Sequence, residues 1–132
     1  MIKPVIVSLH VATGGALGAL VRSRALALLF GPPLHVAADR VPHEDIPDQS
    51  FEIGSGLLAL GLLAARRGPL DPAVLGGAAA AMPDLEHVLP LLRPRGEMLF
   101  HRGGGPHGVG ISVEAQLLIA GAVVGLLLAR RR

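Results

Sequence analysis

Cysteine, tryptophan and tyrosine are absent from this 132-residue chain, and phenylalanine occurs only three times. Without cysteine there is no disulfide, no thiolate zinc site and no cysteine nucleophile, and the redox compartment stays open. Any metal must therefore be held by imidazole and carboxylate. The shortage of aromatic and β-branched residues disfavours sheets, while the abundant Leu, Ala, Val and Gly favour helices. Lysine occurs once, at Lys3, and glutamine twice, so few long polar side chains dilute the rest. The formal net charge is +2. No basic patch is interleaved with aromatics, which argues against nucleic acid as a partner.

The length suggests one domain, residues 1–132. Apolar runs alternate with punctuation. Segment one runs from Pro4 to about Val21 and ends at Arg22-Ser23-Arg24. A short run, Ala25 to Phe30, stops at Gly31-Pro32-Pro33, and a new helix is expected from Leu34 to Val41 before Pro42. His43 to Gln49 reads as an acidic loop. Segment three, Phe51 to Ala65, ends at the stop signal Arg66-Arg67-Gly68-Pro69. Segment four begins at Asp71, an N-cap with Pro72 in the first helical position, and continues to Ala81 and Pro83. Residues 90–110 read as a Gly-, Pro- and Arg-rich loop. Segment five, Ile111 to Ala129, ends in three arginines. The expected fold is all-α, a small bundle of four to six helices.

Two further expectations follow from hydropathy. Segments one and five are long enough to span a bilayer core, which needs about 20 residues, and arginine clusters flank the runs as the positive-inside rule requires. A multi-pass protein of the cell membrane is therefore expected. The arginine clusters collect at one, cytoplasmic, end, and the histidine- and acid-bearing segments at the other. The alternative for the arginines is solvated helix C-termini, where cations suit the dipole. A cleaved signal peptide fits poorly, because His10 interrupts the first run and no cleavage site follows.

Six histidines, His10, His35, His43, His87, His101 and His107, mostly stand near carboxylates or one another. His35 and Asp39 are four apart and share a helix face, with His43 one turn on unless Pro42 diverts it. Asp84 and His87, in Pro83-Asp84-Leu85-Glu86-His87, converge if that turn is helical. Glycines in His101-Arg102-Gly-Gly-Gly-Pro106-His107 let two imidazoles approach one ion. Each segment alone has a plainer reading, as solvated charges at helix ends or a surface loop. His10 alone reads as a hydrogen-bonded core residue or, in a membrane helix, as a functional one. Their recurrence in a chain otherwise poor in polar side chains favours a metal site.

The order of His10, then Pro83-Asp84-Leu85-Glu86-His87, then His101-Arg102-Gly103 before His107 resembles the membrane-bound metal-dependent hydrolase family typified by LexA-regulated inner-membrane proteins. In that family the pieces look like Pro-Asp-Ile-Asp-His and His-Arg-Gly-x-x-His. Here the second spacing is one residue longer, and Pro106 stands where the family usually has Thr. The His35–Asp39–His43 segment is stronger than that pattern and looks similar to helical metal segments of zinc-dependent phospholipase C-like proteins. The resemblance implies an integral membrane location and hydrolysis.

The resulting expectation is a metal-dependent hydrolase at the membrane, acting on a phosphoester of a membrane lipid or related amphiphile. Its metal ligands are drawn from His10, His35, Asp39, His43, Asp84, His87, His101 and His107. These are too many for one tetrahedral ion, so either two metals or supporting histidines are expected. Zinc is the expected ion, with manganese or iron as alternatives. Glu86 or Asp45 is a candidate general base, and Arg102 or Arg40 a candidate phosphate-neutralising cation. The rival is a metal-binding carrier or sensor without catalysis.

Overall fold

The computed structural model describes residues 6–89 and 110–130, apart from the side chains of residues 87 and 88. The fold is all-helical. Its helices are α1 (Val7–Val21), α2 (Arg24–Asp39), α3 (Gln49–Arg67), α4 (Pro72–Ala81), α5 (Leu85–Val88) and α6 (Val113–Ala129), with a 3-10 turn, Met82–Asp84, joining α4 to α5. Side chains set most boundaries. Ser23, Asp48, Asp71 and Ser112 each accept a hydrogen bond from a backbone N–H in the first turn of α2, α3, α4 and α6. Pro72 follows Asp71 as the first residue of α4, where a missing N–H costs nothing.

One expected boundary is absent. Gly31-Pro32-Pro33 does not divide the chain there; α2 runs through both prolines. Proline at these positions withdraws the bonds that the carbonyls of Leu28 and Leu29 would otherwise accept. Both residues are exposed, so water reaches that stretch of backbone.

α1 lies at the centre and packs against α2, α3, α4 and α6. Its approach to α4 is too close for side chains. A Cβ on Gly14 would strike the Gly76 carbonyl and Ala80, and one on Gly18 would strike Pro72. The ascending order on α1 meets a descending order on α4, so the two helices are antiparallel. Gly31 gives α2 the same access to Ala79. Beside these contacts the apolar core gathers Val11, Ala12, Ala59, Leu63, Val74, Ala120, Val124 and Leu127.

The two ends of the bundle differ chemically. At one end, Arg67 Nε donates to Asp71 at 3.0 Å, and its Nη1 donates to the carbonyls of Leu127 and Arg130 at the close of α6. At the other lie the start of α1 and the last turns of α2 and α4. The segment between α2 and α3 is tied to α6 there. His43 forms a parallel bridge with Ile111, and Gln116 Nε2 donates to the carbonyls of Glu44 and Ile111 at 2.8 and 3.1 Å.

The expected multi-pass membrane location is corrected: no helix among the described residues is long and apolar enough to cross a membrane. At 1.5 Å per residue, the 15 residues of α1 and 17 of α6 span about 22 and 25 Å, short of a hydrocarbon core of about 30 Å. The longest helix, α3, has 19 residues but includes Glu52, Arg66 and Arg67. The apolar runs read from the sequence included residues that serve as caps and approach segments, such as Ile6 and Ser112, so the helices are shorter than the runs.

Candidate metal centre

Four polar side chains meet at the α1-start, α2-end, α4-end corner. His10 lies in the first turn of α1 and His35 in the last turns of α2, and both are wholly buried. Asp39 is the last residue of α2, one turn beyond His35, so the i,i+4 relation places both on the face turned to α1. His10 Nε2 lies 3.1 Å from Asp39 Oδ1, and His35 Nε2 lies 3.1 Å from Asp39 Oδ2. One carboxylate thus faces two imidazoles, one with each oxygen. Asp84, in the 3-10 turn after α4, places Oδ1 3.6 Å from His35 Nε2. The two rings stack, with centroids 3.7 Å apart and planes 22° from parallel.

The proton inventory of His35 is informative. Its Nδ1 donates to the Ala80 carbonyl at 2.6 Å, in the last turn of α4 where helix carbonyls lose internal partners. In the neutral ring Nε2 then carries a lone pair, directed at the oxygens of Asp39 and Asp84. Acceptors held this close require a cation between them, a proton or a metal ion. An imidazole fixed through Nδ1 to a carbonyl is also the supporting arrangement that metal-ligating histidines use.

Electrostatics favour a cation for a second reason. The C-terminal ends of α2 and α4 both point here, and each carries partial negative charge. Asp39 adds a carboxylate at the end of α2, where the dipole disfavours it, and no basic residue stands in that last turn. His10 is neutral-leaning: burial pushes its imidazole below the ordinary range, opposed by the Asp39 hydrogen bond and reinforced by His35. A neutral imidazole is the form that binds metal. His10 Nδ1 is buried with no hydrogen-bond partner among the described residues.

The donor chemistry fits a divalent ion. His10, His35 and Asp39 offer ligand atoms that all lie within 4.8 Å of one another. Zinc holds imidazole and carboxylate at about 2.0–2.2 Å, which spaces neighbouring ligand atoms roughly 3.3 Å apart in a tetrahedron. The observed separations of 3.1, 3.1 and 3.6 Å bracket that value. Two imidazoles and one carboxylate are equally the set that holds non-haem iron.

Other residues expected in the site are placed differently. Pro42 diverts His43 from the α2 face. The His43 Nδ1 donates to the Val41 carbonyl at 2.6 Å, and its Nε2 faces Asp45 Oδ1 at 3.6 Å. Buried His43 and partly exposed Asp45 therefore form a second pair beside the Ile111 bridge, outside the group of three. Glu86 is buried on α5. Arg40 follows Asp39 and lines a shallow groove with Pro32, Pro33, Val36 and Ala37. His87 stands on α5, but its side chain lies outside the described residues, as do His101, Arg102 and His107.

One participant was not anticipated. The Ala80 carbonyl orients His35, and no side-chain pattern announces a backbone acceptor. A further buried acid, Glu52 of α3, is the lone acid within the run Phe51 to Ala65, a signal the sequence does contain. No family model, curated protein or solved structure matches this chain.

Proposed function

We propose that this chain is a metal-dependent hydrolase whose divalent-metal centre is built from His10, His35, Asp39 and Asp84. The observation that carries the reading is the single Asp39 carboxylate faced by two buried imidazoles at 3.1 Å, one of them fixed through Nδ1 to a backbone carbonyl. When bound, such an ion supplies Lewis acidity and an activated water nucleophile at neutral pH. The chain's own residues do the rest. The wholly buried His10 and His35 would hold the metal centre on its interior side, and Asp39 and Asp84, with side chains 16% and 10% exposed, would hold it on the side nearer solvent. Glu86, buried two residues beyond Asp84, is the general base, since Asp45 is directed at His43. Arg40 and, by its place in the His101-Arg102-Gly103 motif, Arg102 are the candidates for neutralising a phosphate.

The substrate class is a phosphoester of a lipid or related amphiphile. Large apolar side chains stand exposed around the bundle, Leu57, Leu58 and Leu118 among them, and suit a partly apolar ligand. The motif order His10, Pro83–His87, His101–His107 supports membership in the metal-dependent hydrolase family it resembles.

The test is elemental analysis of purified protein, followed by turnover on a panel of phosphoesters with His35→Ala and Asp39→Asn. Bound zinc, manganese or iron with turnover that both substitutions abolish supports the enzyme. The complete burial of both imidazoles favours a second reading, a carrier or sensor that binds metal without catalysis. Metal binding without turnover on any ester selects it, and a metal-free, inert protein removes both.

A further inference from the structure

The stacking of His10 on His35 bears on how many ions the centre holds. An imidazole binds an ion along its lone pair, in the plane of the ring. Two rings 3.7 Å apart and only 22° from parallel have planes that do not meet near their Nε2 atoms. A single ion shared by both would sit far out of each plane. Two ions, one in the plane of each ring, would instead lie about as far apart as the rings do. That separation matches the roughly 3.5–4 Å of two-metal hydrolytic centres.

The carboxylate agrees with this count. Asp39 presents Oδ1 to His10 and Oδ2 to His35, both at 3.1 Å, so its two oxygens serve different imidazoles. Asp84 reaches His35 Nε2 at 3.6 Å and also lies within electrostatic reach of His10. From this geometry we infer that the centre is dinuclear, with Asp39 bridging one ion on His10 and a second on His35 and Asp84. The inference rests on the metal reading above and specifies its stoichiometry and its substrate. Two dications against two carboxylates leave an excess of positive charge, which a phosphoester anion spanning both ions neutralises. The two positions are unequal. His35 is anchored by Ala80 and seconded by Asp84, whereas His10 Nδ1 has no partner among the described residues. The His35 position therefore fills first.

Full-length protein, stripped with a chelator and titrated with Mn(II), provides the test. The expected result is two equivalents bound in two steps, the second converting an isolated six-line paramagnetic resonance spectrum into an exchange-coupled one. His10→Ala should keep one equivalent with the six-line signal. Asp39→Asn should lose the coupling, with circular dichroism confirming that both variants keep their helices. One equivalent in the wild-type chain overturns the bridged pair while leaving metal binding intact. No bound manganese or zinc overturns the metal reading itself. Two ions that remain coupled in Asp39→Asn overturn the bridging role. Should His10→Ala not fold, the wild-type stoichiometry and spectrum still decide.

Discussion

Replacing Gly14 by alanine tests the contact on which the centre depends. The new methyl would be driven into the Gly76 carbonyl and would stand 2.5 Å from Ala80 Cβ and 2.8 Å from the Gly76 carbonyl carbon. None of these neighbours can rotate away, so α1 and α4 must part by roughly an ångström to restore ordinary contact. Overpacking of this kind costs about 1–3 kcal/mol, and a backbone obstacle places it at the upper end. Alanine's helix propensity returns up to about 1 kcal/mol. The net is a loss of about 2 kcal/mol, or roughly 6–10 °C in melting temperature for a chain of this size. Gly61→Ala is the internal control, because a Cβ there meets nothing within 4 Å. It should gain about 0.5–1 kcal/mol from propensity alone. Thermal unfolding followed by circular dichroism measures both. Parting α1 from α4 also carries His10 away from the Ala80–His35 anchor, so metal occupancy should fall in Gly14→Ala and hold in Gly61→Ala. Equal melting shifts of the same sign in the two variants would refute the close approach.

In chelator, stability should decline as pH falls below the ordinary histidine value of 6.5: His10 is held lower in the folded state, so the unfolded chain binds more protons there. Urea midpoints at pH 7.5 and 5.5 measure this, and His10→Gln should flatten the difference; an equally steep decline in the variant rules His10 out as its source. Arg67→Met removes a cation joined to buried Asp71 and to the Leu127 and Arg130 carbonyls, and should cost about 3–5 kcal/mol by taking the guanidinium from a buried carboxylate. Asp71→Asn made together with it should recover part of that loss in the same denaturation assay. Gln116→Leu keeps the volume but takes the side-chain donor from the Glu44 and Ile111 carbonyls, of which Ile111 keeps the Glu44 N–H, an expected loss of about 1–3 kcal/mol, with faster amide exchange at Ile111.

Local chemistry made much of the fold readable in advance. Asp71-Pro72 opens α4 where a cap followed by proline should, and Arg66-Arg67-Gly68 closes α3. The i,i+4 spacing of His35 and Asp39 places them on one helix face, where the two side chains meet. What escaped was non-local. The two prolines of α2 obey no break rule, because the carbonyls they disturb face solvent and Gly31 seats the helix against Ala79. The membrane expectation failed because hydropathy counts apolar residues without asking which are caps. Convergence of His10 with a pair 25 residues further along depends on Gly14 meeting Gly76, a contact between positions whose defining property is the lack of a side chain. His43 shows the reverse: its spacing suited a ligand, yet Pro42 and the Ile111 bridge turn it to Asp45.

Stability alone does not account for the corner where these groups meet. Replacing buried ionic clusters with apolar side chains of similar volume is commonly neutral or stabilising by about 1–4 kcal/mol. A chain so rich in leucine, alanine and valine had every means to fill this corner with them. Instead Asp39 stands at the unfavourable end of a helix dipole, a second helix C-terminus points at the same place, and Asp84 adds a further negative charge 3.6 Å from a ring nitrogen. Each feature opposes folding in the absence of a cation, and each becomes favourable when one is present. The bundle holds its opposite end with cations of its own, Arg67 against Asp71 and the carbonyls of α6. At the histidine end the described residues gather the Asp39 and Asp84 carboxylates around the His35 Nε2, an arrangement that a bound cation would turn from a cost into a gain.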